Sequence, residues 1–151
     1  MATIEHIFRE LVHRFPSEEL DESRLVADKG VEGCIHGRPG SKQQVLVMDA
    51  ETLERLEVPP GAVKENITTR GLDLRAVAEG DQFQIGGAVL EVTAPCHPCD
   101  RMDEIRMGLK EELKGQRGVL CRVIQAGTIC RGDAIKLMPV QVLKGVQAGE
   151  A

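Results

Sequence analysis

Apolar positions recur in two rhythms along the chain. Ile4, Ile7, Phe8, Leu11, Val12 and Phe15 share one helical face. With Thr3 as a cap and Pro16 as a stop, they predict a helix over residues 4–14. Residues 17–29 are acidic and loop-like, apart from a short strand at 24–27. The rhythm then shortens to that of strands. Residues 44–48 read as one strand, and Asp49 caps a short helix that runs to Leu56 and is ended by Pro59, Pro60 and Gly61. Residues 63–69 read as the next strand, and Gly80-Asp81 is a turn. Residues 82–85 and 88–92 flank Gly86-Gly87, a strong hairpin signal. Helical spacing returns with Met102, Ile105, Leu109 and Leu113, over residues 100–114, until Gly115. Residues 118–124, 128–130 and 134–138 read as strands joined by glycine turns, and residues 143–151 as a frayed, disordered tail. Many short strands with few helices predict a mainly β fold: an antiparallel β-barrel or sandwich with short helices on its rim.

Length sets the domain count. The 151 residues are expected to form one domain, 1–151, with residues 1–20 an N-terminal helix and extension. Phe8, Phe15 and Phe83 stand without any Trp or Tyr, so the core must be mostly Val, Leu, Ile, Ala and Met. So few rings for bases to stack on, together with a net charge of −5, argue against a nucleic-acid partner. No apolar run approaches the length of a membrane span, and the N-terminus lacks the basic start and apolar stretch of a secretory signal. A cytoplasmic location without membrane partners is therefore expected. In a reducing compartment the five cysteines are expected to be free or functional rather than paired.

The chemistry concentrates in residues 91–106, where Cys96 and Cys99 lie between a strand and a helix. Pro95 and Pro98 stop the ladder and force a turn. Asp100 is a natural N-cap, and Asp103 and Glu104 suit the positive end of a helix. Cys99 thus stands where backbone N–H groups favour a thiolate, although Asp100 opposes this; it is the expected reactive thiol of the pair. A thiolate is a nucleophile, a redox centre or a metal ligand. The Cys-x-x-Cys pair leaves several readings open: two buried cysteines, a thioredoxin-like redox pair, or a zinc set of Cys34, His36, Cys96 and Cys99. No βαβ unit is predicted before the motif, which counts against the redox pair. The single-residue gap between Cys34 and His36 counts against zinc. Gly30, Gly33, Gly37 and Gly40 punctuate a loop whose His36, Arg38, Ser41 and Lys42 either hold an anion or lie solvated at the surface. Asn66 and Thr68 place polar side chains in a strand, where they need partners or water. Cys121 and Cys130 read as small core fillers.

Taken together, these motifs resemble the MOSC domain, the family named after the C-terminal domain of molybdenum-cofactor sulfurases, in its small stand-alone bacterial form. The resemblance is carried, in the family's order, by residues 26–33, by His36-Gly-Arg-Pro-Gly at 36–40, and by Gly61 with residues 65–74. It continues through Gly80-Asp81, Ala-Pro-Cys-His-Pro-Cys-Asp-Arg-Met at 94–102, and residues 115–133. No single stretch is very specific, but the ordered set is. It implies a β-barrel and a bound molybdenum cofactor (molybdopterin), with Cys99 as the catalytic thiolate that ligates the metal or carries a sulfur for it. Soft thiolate ligation suits such a metal. By the same resemblance Lys64, Asn66 and Thr68 face the cofactor, His36 and Arg38 help hold its phosphate end, and Cys96 and Arg101 complete the binding set. Family members often carry Gly-Asp where Gly33-Cys34 stand here, which puts an extra thiol near the site.

Related domains reduce N-hydroxylated substrates or act beside a pyridoxal-phosphate-dependent cysteine desulfurase. This chain is too short to contain that desulfurase, and it carries no flavin motif and no four-cysteine iron–sulfur set. The expected partners are therefore a desulfurase, which would bring the pyridoxal phosphate, or an electron-donor reductase. Readings of another class are a cofactor-free thiol–disulfide or sulfur-carrier protein using Cys96 and Cys99, and a structural zinc domain.

Overall fold

A computed structural model describes residues 1–142, and the predicted tail lies outside the described residues. The strands are β1 (Thr3–Arg9), β2 (Glu18–Leu20), β3 (Glu22–Val26), β4 (Gly30–Val31), β5 (Val45–Asp49), β6 (Ile67–Arg70), β7 (Gln82–Ile85), β8 (Ala88–Pro95), β9 (Val119–Gln125), β10 (Gly127–Cys130) and β11 (Lys136–Met138). Among the described residues they are joined by short helices α1 (Ala50–Arg55), α2 (Arg101–Ile105) and α3 (Leu109–Glu112), and by a 3-10 turn at Leu74–Ala76. The large sheet has the order β11-β7-β8-β9-β5-β6-β1-β2, and β10-β3-β4 form a smaller one. The large sheet curls until the start of β1 meets the segment before β11. Ile4 N–H donates to Asp133 O at 2.9 Å, Gly132 N–H to Ile4 O at 2.8 Å, and Ile135 N–H to Ala2 O at 2.8 Å. These bonds pair backbone that would otherwise be a free edge, and they complete a barrel.

The barrel is antiparallel except for β5 and β6, which run parallel on either side of α1. A parallel pair needs a crossover, and α1 supplies it. A βαβ unit therefore does precede Cys96, against expectation, but its neighbours β9 and β1 pair antiparallel and no thioredoxin-like sheet forms. Asp49 caps α1 as predicted, its side chain accepting from Thr52 N–H at 3.0 Å.

The predicted helix over residues 4–14 is instead strand β1. Its pairing with β6 slips between Ile4 and His6, the mark of a β-bulge. One extra residue stretches the period from two to three, so Ile4 and Ile7 both face the core at a spacing that imitates a helix. The predicted helix over residues 100–114 forms as two pieces, because Arg106 is extended after α2 and Gly108 takes φ +89° before α3. Asp100 caps nothing; its carboxylate pairs with Lys110 Nζ at 2.6 Å. Met102, Leu109 and Leu113 pack with Met48, Leu53, Val58 and Val63 into a small second core outside the barrel. That core anchors the helices to the barrel wall.

Candidate functional site

The β8–β9 ladder ends at Pro95 opposite Val119, and Cys96 N–H adds one more bond to Gly118 O at 2.9 Å. Residues 97–117 leave and re-enter the barrel at this point. Gly118 makes the closure possible. Its φ is +93°, and a Cβ there would stand 2.4 Å from Val47 O. The excursion carries Cys99, Arg101 and Arg117 to one cleft of about 340 Å³. His36, Lys64, Asn66 and Glu10 line the same cleft, with Leu46, Val63, Met102 and Leu120 as apolar wall. Cys99 is exposed there.

A strap formed by residues 10–17 closes one side. Glu10 is only 2% exposed, and its carboxylate bonds His36 Nε2 and accepts Arg14 N–H at 3.1 Å. Lys64 Nζ lies 3.9 Å from the same carboxylate and donates to Phe15 O at 2.5 Å. Arg101 Nη2 donates to His13 Nε2 at 3.0 Å. Burial pushes the Glu10 carboxyl up. The His36 hydrogen bond and the charges of His36 and Lys64 outweigh this and hold it below the ordinary carboxylate value. Glu10 and His13 went unrecognised in the sequence because the helical reading of residues 4–14 hid where the chain turns. An acid inside an apolar run was the available signal.

The structure brings His36, Lys64, Asn66, Arg101 and Cys99 together and separates the rest of the expected set. Arg38 is exposed and lines no part of this cleft; its carbonyl, not its charge, is used, accepting from Gln44 Nε2 at 3.1 Å. Thr68 is fully buried and donates to Glu65 Oε2 at 2.9 Å, so it does not face the cleft. Cys96 is half-buried in a separate cleft of about 380 Å³ with His97 and Arg75, and Arg117 forms a wall common to both. Burial pushes the Cys96 thiol up, with Arg117 opposing and Cys99 adding to the rise. Cys34 is buried in the barrel core, so it cannot join His36, Cys96 and Cys99 as a zinc set. Among the described residues, no group of three His, Cys, Asp or Glu side chains converges as a ligand set.

Asn66 reaches the cleft with its polar groups committed. Its Oδ1 accepts Leu46 N–H at 3.0 Å, and its Nδ2 donates to Phe8 O at 3.2 Å and to Cys34 Sγ at 3.4 Å. It clamps β5, β1 and the glycine loop, and keeps at most one acceptor lone pair for a ligand. Cys34 is thus a buried acceptor for that clamp.

The fold is a curled, barrel-like β-sheet, with an exposed thiol in a cation-lined cleft at the end of a strand ladder. The family model of the MOSC domain matches residues 33–136, and the chain belongs to that family. A protein named "Reductase" from Gibberella moniliformis is 35% identical over 96 residues, which cover 56% of this chain and only 17% of that protein. The crystal structure of YuaD from Bacillus subtilis has the same fold, with a TM-score of 0.76 over 92% of this chain and 97% of that one at 19% identity. YiiM from Geobacillus stearothermophilus superposes with a TM-score of 0.70 at 20% identity, covering 99% of this chain and 85% of that one.

Proposed function

We propose that this chain binds molybdenum cofactor in the Cys99 cleft, with the Cys99 thiolate as metal ligand or as the carrier of a sulfur for that cofactor. One observation supports the reading above the others. Cys99 is the exposed thiol that shares a cleft with Lys64, Arg101 and Arg117, while Cys96 opens into another. The residues fit the group: a soft ligand stands beside cations that suit an anionic molecule, against an apolar wall that suits a flat ring system.

When bound, the cofactor supplies a redox-active metal that exchanges electron pairs. The chain's own side chains do the rest. Lys64 and Arg101 balance negative charge, and their bonds to the strap fix where that charge sits. Asn66 locks the cleft wall, and Glu10 holds His36, which is half-exposed at the rim and able to hold or give a proton. Reduction of an N-hydroxylated substrate takes up two electrons and two protons and releases water. His36 is placed to supply a proton, and a separate electron-donor reductase would supply the electrons. The name of the fungal relative agrees with a reductive role. In the sulfur-carrier form of the reading, the partner is a pyridoxal-phosphate-dependent cysteine desulfurase, and the setting in either case is the cytoplasm. No helix of the described residues is long and apolar enough to cross a membrane.

The test is metal and pterin analysis of protein purified from a molybdenum-replete host. Wild type is expected to carry molybdenum with pterin, Cys99→Ser neither, and Cys96→Ser a reduced share. Zinc in place of molybdenum would overturn the reading. So would a metal-free protein that cycles between dithiol and disulfide and needs both cysteines.

A further inference from the structure

We infer that Arg117 is an oxyanion receptor, the group in the wall of the Cys99 cleft that takes a phosphate-type anion, free or as the end of a larger molecule. The side chain is 6% exposed. Its Nη2 donates to Val63 O at 2.7 Å, while Nε and Nη1, both buried, have no hydrogen-bond partner among the described residues. Those two atoms carry three of the five guanidinium N–H donors. An arginine is seldom buried unless paired, and a buried donor left without a partner is a standing cost to the fold. A purely structural arginine would use its fork on nearby carbonyls or a carboxylate. This one uses a single nitrogen, on a loop carbonyl that fixes its direction.

The surroundings select the sign of the ligand. Lys64 and Arg101 line the same cleft. The one carboxylate there, Glu10, is already engaged by His36 and Arg14 N–H. Gly118, the next residue, lies so close to Val47 O that a Cβ there would stand 2.4 Å from it, which fixes the backbone path beside Arg117. A planar guanidinium with unused donors matches the oxygens of a phosphate, and of the two guanidinium groups in the cleft Arg117 is the one whose unpartnered nitrogens are buried. The inference shares the cleft of the proposed function but needs neither Cys99 nor a metal.

The experiment is run in the full-length Cys99→Ser background, so that no cofactor held by Cys99 competes. Thermal unfolding and calorimetric titration are followed with inorganic phosphate and with glycerol 2-phosphate, against chloride at equal ionic strength. Phosphate is expected to raise the unfolding temperature. Adding Arg117→Met should abolish that rise, and Arg117→Lys, which keeps the charge but loses the fork, should weaken affinity by roughly tenfold or more. Binding of the ester alone would assign the site to a phosphorylated molecule, and equal binding of both to any phosphate group. The absence of binding by either anion overturns the inference, and so does unchanged affinity in Arg117→Lys, which decides the matter should Arg117→Met fail to fold. Lack of molybdenum in the wild type would defeat the Cys99 reading and leave this result standing.

Discussion

At the scale of single residues, Cys96 and Cys99 differ because of what surrounds them. Cys99 is exposed in a cleft lined by cations, whereas Cys96 is half-buried and its thiol is pushed up by that burial. Alkylation near neutral pH should therefore label Cys99 first, by about tenfold in rate, as read by peptide mapping. Equal rates would contradict the assignment. Glu10 offers a second test. Its folded-state pKa lies below the ordinary 4.5, so its ionised form is favoured by folding. That contribution is fully present above the unfolded-state value and is lost as pH falls through the folded-state value, below 4.5. Glu10→Gln should cost about 1–3 kcal/mol at pH 7. It should also flatten the fall in stability below pH 4.5, measured by denaturant titration across pH. A wild-type slope in the variant would show that Glu10 is not the group that titrates.

At the scale of elements, the site is made by two irregularities. A bulge in β1 turns both Ile4 and Ile7 to the core before the chain leaves as the strap, and Gly118 lets residues 97–117 leave and rejoin the β8–β9 ladder. Gly118→Ala places a Cβ against Val47 O in a left-handed conformation, where backbone has to move. A loss on the order of 2–4 kcal/mol is expected from overpacking and backbone strain together. Because Cys96 bonds Gly118 O, the same change should also alter the alkylation rate of Cys96, a readout that a general loss of stability outside the site would leave alone.

At the scale of the whole molecule, stability depends on closure. β1 lies between β6 and β2 and also bonds the segment before β11, while Ile4 and Ile7 fill the barrel interior. Each buried isoleucine is worth about 2–5 kcal/mol against truncation, and whole domains are stable by only about 5–15 kcal/mol. A chain lacking residues 1–9 should therefore show no cooperative thermal transition by circular dichroism. A sharp melt in that chain would place the folding unit in residues 10–142 alone.

The sequence by itself was sufficient wherever the signal is local. Gly86-Gly87 sets the β7–β8 hairpin, Asp49 caps α1, and short apolar runs mark β5 and β9, because turn geometry, capping and local apolar runs act within a few residues. The ordered motifs likewise pointed to the family; they also named Cys99, His36, Lys64, Asn66 and Arg101, which line one cleft. Tertiary structure decided what depends on distant partners. It made residues 3–9 a strand, since β6 supplied a ladder that helix spacing could not foresee. It buried Thr68 against Glu65, left Arg38 in solvent and sent Cys96 to its own cleft. It brought Glu10 and Arg117 to the Cys99 cleft from opposite ends of the chain. A charge reveals its role only when its neighbours are known, and those neighbours are chosen by barrel closure rather than by spacing along the chain.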